Sequence, residues 1–237
     1  MTEKTRDAYV MNLSTFAVSL LALLIVPSAK LQLDPALLPR AAFCSVKVAE
    51  RLKTEQRDWD LSDGRIEKAA GNRLMTQSKE MRATLRQSTS QHVAVNFTYL
   101  GPSRGVSRLG NGEIRRQFGI KLKAQDICNL VYVMWNFDTQ KIAVSVKSNP
   151  GQRTHEACLD RGYINDIKAE LKTDPPALHV DEPHMLAADL DGQQLHVTVD
   201  DKMVWRGTLP ALVLQLHGPV GLRSDNAQVV FDYFVDR

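Results

Sequence analysis

Apolar and polar residues alternate strand after strand along this chain, and that period of two limits its fold more than any other feature. In 92–100, Val93, Val95, Phe97 and Tyr99 alternate with Ala94, Asn96 and Thr98. In 113–123, Ile114, Arg116, Phe118, Ile120 and Leu122 alternate with Arg115, Gln117, Gly119 and Lys121. Residues two apart on a strand leave the same face, so each run has one side for a core and one for its surroundings. Segment 127–137 is apolar on both sides, as a central strand is, and 141–147 places Ile142, Val144 and Val146 together. Asp138-Thr139-Gln140 between them has the length of a hairpin turn. Further on, 186–190 stops at Asp191-Gly192, a tight-turn pair. Leu195, Val197 and Val199 follow, Asp200-Asp201-Lys202 turns into 203–209, and 229–235 closes the chain. Only 46–57 and 164–171 offer short helices. Many short strands with near-regular turns predict an all-β, two-sheet antiparallel sandwich.

The first 29 residues read differently. Lys4 and Arg6 precede an apolar run, 16–26, that is interrupted only by Ser19 and ends at Pro27-Ser28-Ala29. As a helix it spans about 16 Å at a rise of about 1.5 Å per residue, short of the roughly 30 Å hydrocarbon core. We expect a signal peptide over 1–29, with an uncleaved membrane anchor as the alternative, and a Pro35- and Pro39-bearing lead-in over 30–45. The expected address is secreted, periplasmic or cell-envelope. Three cysteines permit one bridge and one odd thiol. Export makes oxidation permissible, and Cys128 and Cys158 are the expected pair, leaving Cys44 free. Phe43 occupies the place of the small residue that lipidation at Cys44 requires.

The C-terminal third carries a family resemblance. It lies in Pro183-His184-Met185-Leu186, in Asp191-Gly192-Gln193-Gln194-Leu195-His196-Val197, in Val204-Trp205-Arg206-Gly207 and in Gly218-Pro219-Val220-Gly221-Leu222-Arg223-Ser224-Asp225-Asn226 followed by Val230-Phe231-Asp232-Tyr233-Phe234. These runs resemble the closing strands of concanavalin A-like lectin/glucanase domains, above all the laminin-G-like and 3-keto-disaccharide-hydrolase-like branches. Trp59 through Gly64-Arg65-Ile66 resembles their opening strands. The resemblance covers 46–237 and implies a jelly roll whose concave sheet face holds the groove. Phe231 and Tyr233 share a period with Val229 and Val235 and are expected in the core, while Asp225-Asn226 reads as loop chemistry before the last strand.

Catalytic patterns are sparse. Family-16-like glucanases set two acids on one strand in a Glu-x-Asp-x-x-Glu run, and no such run occurs here. Glu113-Ile114-Arg115 faintly resembles the arginine strand of alginate-lyase jelly rolls, without their companion Gln-(Ile/Val)-His and Tyr-x-Lys-x-Gly-x-Tyr patterns. His155-Glu156 opens a zinc-protease-like pattern whose second histidine position holds Leu159. There is no phosphate loop and no Gly-x-Ser-x-Gly elbow. Neither metal nor cofactor is expected.

The stronger signal is a sheet face. If Val95, Phe97, Phe118, Ile120, Val131, Val133, Trp135, Val144 and Val146 point inward, then Asn96, Thr98, Arg115, Gln117, Tyr132, Met134, Asn136, Ser145 and Lys147 point out. From this set Asn96, Arg115, Gln117, Tyr132 and Asn136 are the expected glycan-binding residues, since sugars need a stacking ring among directed donors and acceptors. Trp135 belongs to the core side. Charge adds a hint: residues 40–125 hold 17 basic and 8 acidic side chains and 126–237 hold 10 and 16. Basic residues at Arg104, Arg108, Arg115, Arg116, Lys121 and Lys123 favour an anionic cell-surface polymer or acidic polysaccharide. A net charge of +3 with no recognised module or aromatic interleaving speaks against nucleic acid. The expected function is an exported, non-catalytic carbohydrate- or envelope-binding module. A glycan-active enzyme and a protein-binding adhesion module are the alternatives.

Overall fold

The alternation of Val93, Val95, Phe97 and Tyr99 becomes β6 (His92–Pro102), the strand around which the larger of two sheets is assembled. A computed structural model of the chain describes residues 52–88, 90–110 and 112–236. The expected targeting segment, the lead-in and Cys44 lie outside these residues. Among the described residues no helix is long and apolar enough to cross a membrane.

The larger sheet has nine strands. In spatial order they are β11 (Leu171–Lys172), β14 (Lys202–Thr208), β13 (Gln194–Val199), β12 (Pro183–Asp191), β6, β16 (Ala227–Val235), β4 (Arg73–Thr76) and β3 (Glu67–Ala69), with β1 (Leu52–Lys53) also on β16. The second sheet runs β10 (Tyr163–Ile164), β9 (Lys141–Lys147), β8 (Leu130–Asn136), β7 (Gln117–Leu122), β15 (Gly221–Asp225), β5 (Glu80–Leu85) and β2 (Trp59–Asp63). Every pairing is antiparallel.

The apolar faces of the two sheets meet in one core. Phe97 of the larger sheet packs 5.1 Å from Phe118 and 5.7 Å from Trp135 of the smaller. Trp59 lies 5.0 Å from Tyr233 in an edge-on contact. Such aromatic pairs add about 0.5–1.5 kcal/mol each beyond the area they bury. The inward set expected from sequence is buried throughout, and so are Val229, Phe231, Tyr233 and Val235.

Two expectations are corrected. The strand expected over 113–123 forms only from Gln117, because 103–116 is a loop, and Ile114 is exposed. Neither short helix is present in the described residues: 164–171 runs without helix from β10, which ends at Ile164, to β11, which begins at Leu171, and the described part of 46–57 includes a short strand and a 3-10 turn. The α-helix that does form among the described residues is one turn, α1 (His155–Cys158), capped by Thr154.

Cys128 and Cys158 form the bridge, with Cα atoms 5.8 Å apart. It ties the approach to β8 to α1 across 30 residues, and by the chain-entropy account contributes roughly 3–4 kcal/mol.

Candidate functional site

The outer face of the seven-stranded sheet is built of rows set by strand register. One row runs Lys141, Asn136, Gln117, Asp225 and Glu80 across β9, β8, β7, β15 and β5. The next runs Ala143, Met134, Gly119, Arg223 and Arg82, and a third Ser145, Tyr132, Lys121, Gly221 and Thr84. Tyr163 and Lys147 of β10 and β9 begin a fourth with Leu130.

Asp225 is the hinge of this arrangement. Fully buried, it accepts from Arg82 Nη2 at 2.5 Å, from Arg223 Nε at 2.8 Å and from Gln117 Nε2 at 2.6 Å. Burial pushes its carboxyl upward, but Arg223 and then Arg82 overcome that and hold it below the ordinary carboxylate value. Gly119 puts no side chain between Arg223 and β8, and the Arg223 guanidinium reaches across to lie 5.0 Å from the Tyr132 ring centroid. Tyr163 stacks beside Tyr132 at 6.3 Å, and the Lys147 ammonium sits 5.1 Å from the Tyr163 ring while donating to the Leu159 carbonyl at 2.7 Å. The sheet surface is thus a fixed layer of cations on aromatic rings.

Two loops border it. Asn226 pins 103–116 from both ends: its Oδ1 accepts from the Ser107 amide at 2.7 Å, and its Nδ2 donates to the carbonyls of Ser107 at 2.8 Å and Arg115 at 3.0 Å. This brings Arg108 and Arg115 to the face. The second loop, 148–162, is held by the disulfide and by Asn149, whose amide group donates to the Cys128 and Arg161 carbonyls. The loops touch where Gly110 passes Asp160 so closely that a Cβ there would fall 1.3 Å from Asp160 Oδ2. Between loops and sheet lies a cavity of about 630 Å³, continuing around the β9 edge toward Trp205.

Of the expected binding residues, Arg115, Gln117 and Tyr132 meet in this cavity. Arg115 is half-buried and paired with Glu113. Tyr132 faces the expected side but is only 3% exposed, because Arg223 covers it, which corrects the expectation of an open stacking ring. Asn136 shares a row with Gln117, yet its Oδ1 accepts from the amides of Asp138 and Thr139 and closes the β8–β9 turn. Asn96 is elsewhere. Its strand joins β12 and β16, opposite Met185 and Asp232, so it lies exposed on the outer face of the other sheet, where Thr98 is also found, half-buried. Arg82, Arg223, Asp225, Lys147 and Tyr163 were not among the expected residues, although Met81, Ala83 and Leu85 alternate around Arg82 clearly enough to have shown its side. Among the described residues no three His, Cys, Asp or Glu side chains converge on a metal site.

No family model and no curated protein matches the chain. Solved structures match at the level of fold. The carbohydrate binding module CBM66 from Bacillus subtilis has a TM-score of 0.52 at 15% identity, over 73% of this chain and 91% of that one. The Emp46p carbohydrate recognition domain gives 0.48 at 12%, covering 77% and 91%. Galectin LEC-6 from Caenorhabditis elegans gives 0.39 at 10%, covering 75% and 96%. The likeness to the CBM66 module is one of fold, two antiparallel sheets packed as a sandwich.

Proposed function

We propose that this chain is an exported carbohydrate-binding module whose groove is the outer face of the seven-stranded sheet. The observation that carries the reading is the Asp225-centred layer, which fixes Arg82, Arg223 and Gln117 before any ligand arrives. Donors held in place lose little freedom on binding, and sugar hydroxyls need such directed partners. Arg115 is the contact at the groove, and Gln117 and Tyr132, each 3% exposed, are the support beneath it, Gln117 bound to Asp225 and Tyr132 covered by Arg223. The disulfide agrees with an oxidising compartment, and the first 29 residues serve as signal or anchor. N-terminal sequencing of the exported protein should begin near residue 30; an intact N-terminus in the membrane fraction means an anchor.

Polysaccharide retention of the full chain tests the groove. Arg115→Ala should weaken retention at least severalfold while leaving thermal unfolding nearly unchanged, because Arg115 is half-buried in a loop. Unaltered retention would remove the groove from this face.

Glu80 favours a second reading, in which the module cuts what it binds. Its carboxyl lines the cavity and is raised by burial, against the pull of Arg82 and with a hydrogen bond to Asp63 that raises it further. A carboxyl whose pKa is raised is better suited than an ordinary one to give a proton to a leaving group. New reducing ends made by the full chain and abolished by Glu80→Gln would establish catalysis; binding without new ends leaves the module non-catalytic.

A further inference from the structure

The charge on this face is not balanced. Seven of the cavity-lining side chains are Arg or Lys, and two, Glu80 and Asp160, are acids. Arg82 and Arg223 share Asp225, Arg115 has Glu113 and Lys141 has Asp174. Arg108 donates to the Gly112 carbonyl, and Lys147 donates to the Leu159 carbonyl over the Tyr163 ring, with Asp160 and Asp126 as its attracting charges. Immediately beside the cavity, Lys121 stands between Tyr132 and Gly221 in its row, 5% exposed, with no carboxylate or hydrogen-bond acceptor among the described residues. Its electrostatic neighbours are the Arg82 and Arg223 guanidiniums, which repel it.

Burying a cation beside two others is costly, because the charge loses water and gains no partner. The rest of the fold shows how cheaply it could be avoided: Phe118, Ile120 and Leu122 on the same strand are apolar and fully buried. A methionine or leucine at Lys121 would remove the cost. Excess positive charge at a groove has a use only when an anion comes to it, since the protein's own field then attracts the ligand and the ligand relieves the repulsion.

We propose that the ligand of this groove is an anionic carbohydrate, a glycan whose sugars carry carboxylate or sulfate groups, drawn by the surplus of Arg108, Lys147 and Lys121 over the local acids. This rests on the carbohydrate reading above and narrows it. Lys121 acts as a positioning residue: it raises the positive field behind Arg223 and Tyr132 without being required to touch the sugar. Glu80 and Asp160 oppose the field, and Asp225 is already neutralised by its two arginines.

The experiment is retention of the full chain at pH 6, where Lys121 holds its proton, on immobilised polygalacturonate, chondroitin sulfate, a neutral β-glucan and polyglutamate, at low and high salt. We expect one or both acidic polysaccharides to be retained at least about tenfold better than the neutral one, a difference of about 1.4 kcal/mol, with the preference falling as salt rises. The two acidic arms separate carboxylate from sulfate. Lys121→Met should lower acidic retention several-fold while raising or preserving the melting temperature, whereas a lysine kept only for packing would leave retention unchanged. Lys202→Gln, an exposed change at the start of β14 on the other sheet, should alter neither.

Retention of the neutral glucan alone or equally well overturns the anionic class and leaves the carbohydrate reading standing. Equal retention on polyglutamate overturns it in favour of simple ion exchange. Full acidic preference in Lys121→Met overturns the role of the buried charge, and retention on none of the supports overturns both readings.

Discussion

On the outer face of the nine-stranded sheet, Asp232 pairs with Lys53 at 2.7 Å and with Arg73 at 3.3 Å. On the outer face of the seven-stranded sheet, Asp225 likewise pairs with two cations, Arg82 at 2.5 Å and Arg223 at 2.8 Å. The chemistry is the same and the surroundings are not. The side chains of Lys53 and Arg73 are 40% and 27% exposed, so water shares in solvating them; Arg82 and Arg223 are at 11% and 12%, and Asp225 at 1%. A surface pair contributes little either way, whereas a buried one is costly to break because the remaining charge has nowhere to go. One face therefore carries charge as ordinary protein exterior, and the other carries it as fixed internal structure. Only the second is preorganised for a ligand.

Removing the two carboxylates should separate the faces most sharply. Asp225→Ala leaves two buried guanidiniums without their shared partner and should cost about 3–5 kcal/mol; Asp232→Ala should cost about 1 kcal/mol or less. Denaturant unfolding of both variants measures the difference. Similar losses would mean that the buried layer is no more tightly organised than the surface.

The disulfide supplies the next effect, because it belongs to the loop that borders one face only. Cys128→Ser with Cys158→Ser should cost roughly 3–4 kcal/mol through the freed 30-residue connection. It should also loosen 148–162 first. Hydrogen exchange should then rise in that loop before it rises in β12, β13 and β14, and uniform loosening would show that the bridge holds the whole sandwich rather than the border of the groove.

Lys121 sharpens the comparison through pH. Burial, and then the repulsion of Arg82 and Arg223, lower its ammonium from 10.5 to about 7. Between those values the unfolded chain holds the proton and the folded chain has released it, so stability should climb with pH across that window. Below about 7 both forms are protonated and the burial cost is present in full. The total is on the order of a few kcal/mol. Chemical unfolding from pH 6 to 9.5 should show the climb in the native chain and a much flatter course in Lys121→Met. Parallel curves would mean that this ammonium is solvated in the folded protein.

How much of this could be read from sequence depended on how far apart the pairing strands lie. β7, β8 and β9 follow one another through short connections, so alternation alone set Gln117, Tyr132, Met134, Ser145 and Lys147 on one face, where the register now puts them. The position of β6 was a different problem. A period of two says that Asn96 and Phe97 point opposite ways, but not which sheet the strand joins, and its neighbours are β12 and β16, many residues away in the chain. Asp225-Asn226 was legible only in half. Asn226 does what a turn asparagine does, with positive φ and a side chain holding a loop. Asp225 ends a strand instead, and its two arginines come from β5 and from its own strand two residues back. Turn composition reads the same for both residues, and only the sheet order separates them.

The smallest expected effect is the cleanest check on that sheet order. Asn96 projects from β6 between Met185 of β12 and Asp232 of β16, exposed, on the face away from the cavity. No hydrogen bond ties its side chain into the Asp232 cluster, and the substitution buries nothing. Asn96→Ala should therefore shift unfolding by no more than about 0.5 kcal/mol, as exposed replacements away from caps and networks do. It should also leave polysaccharide retention at the native level, while Arg115→Ala reduces it. Asn96 stands on β6 of the nine-stranded sheet and Arg115 on the loop that borders the cavity, so a difference between them reports which face holds the ligand. If Asn96→Ala lowers retention as much as Arg115→Ala, the binding surface is on the nine-stranded sheet, and the buried Asp225 layer is structural alone.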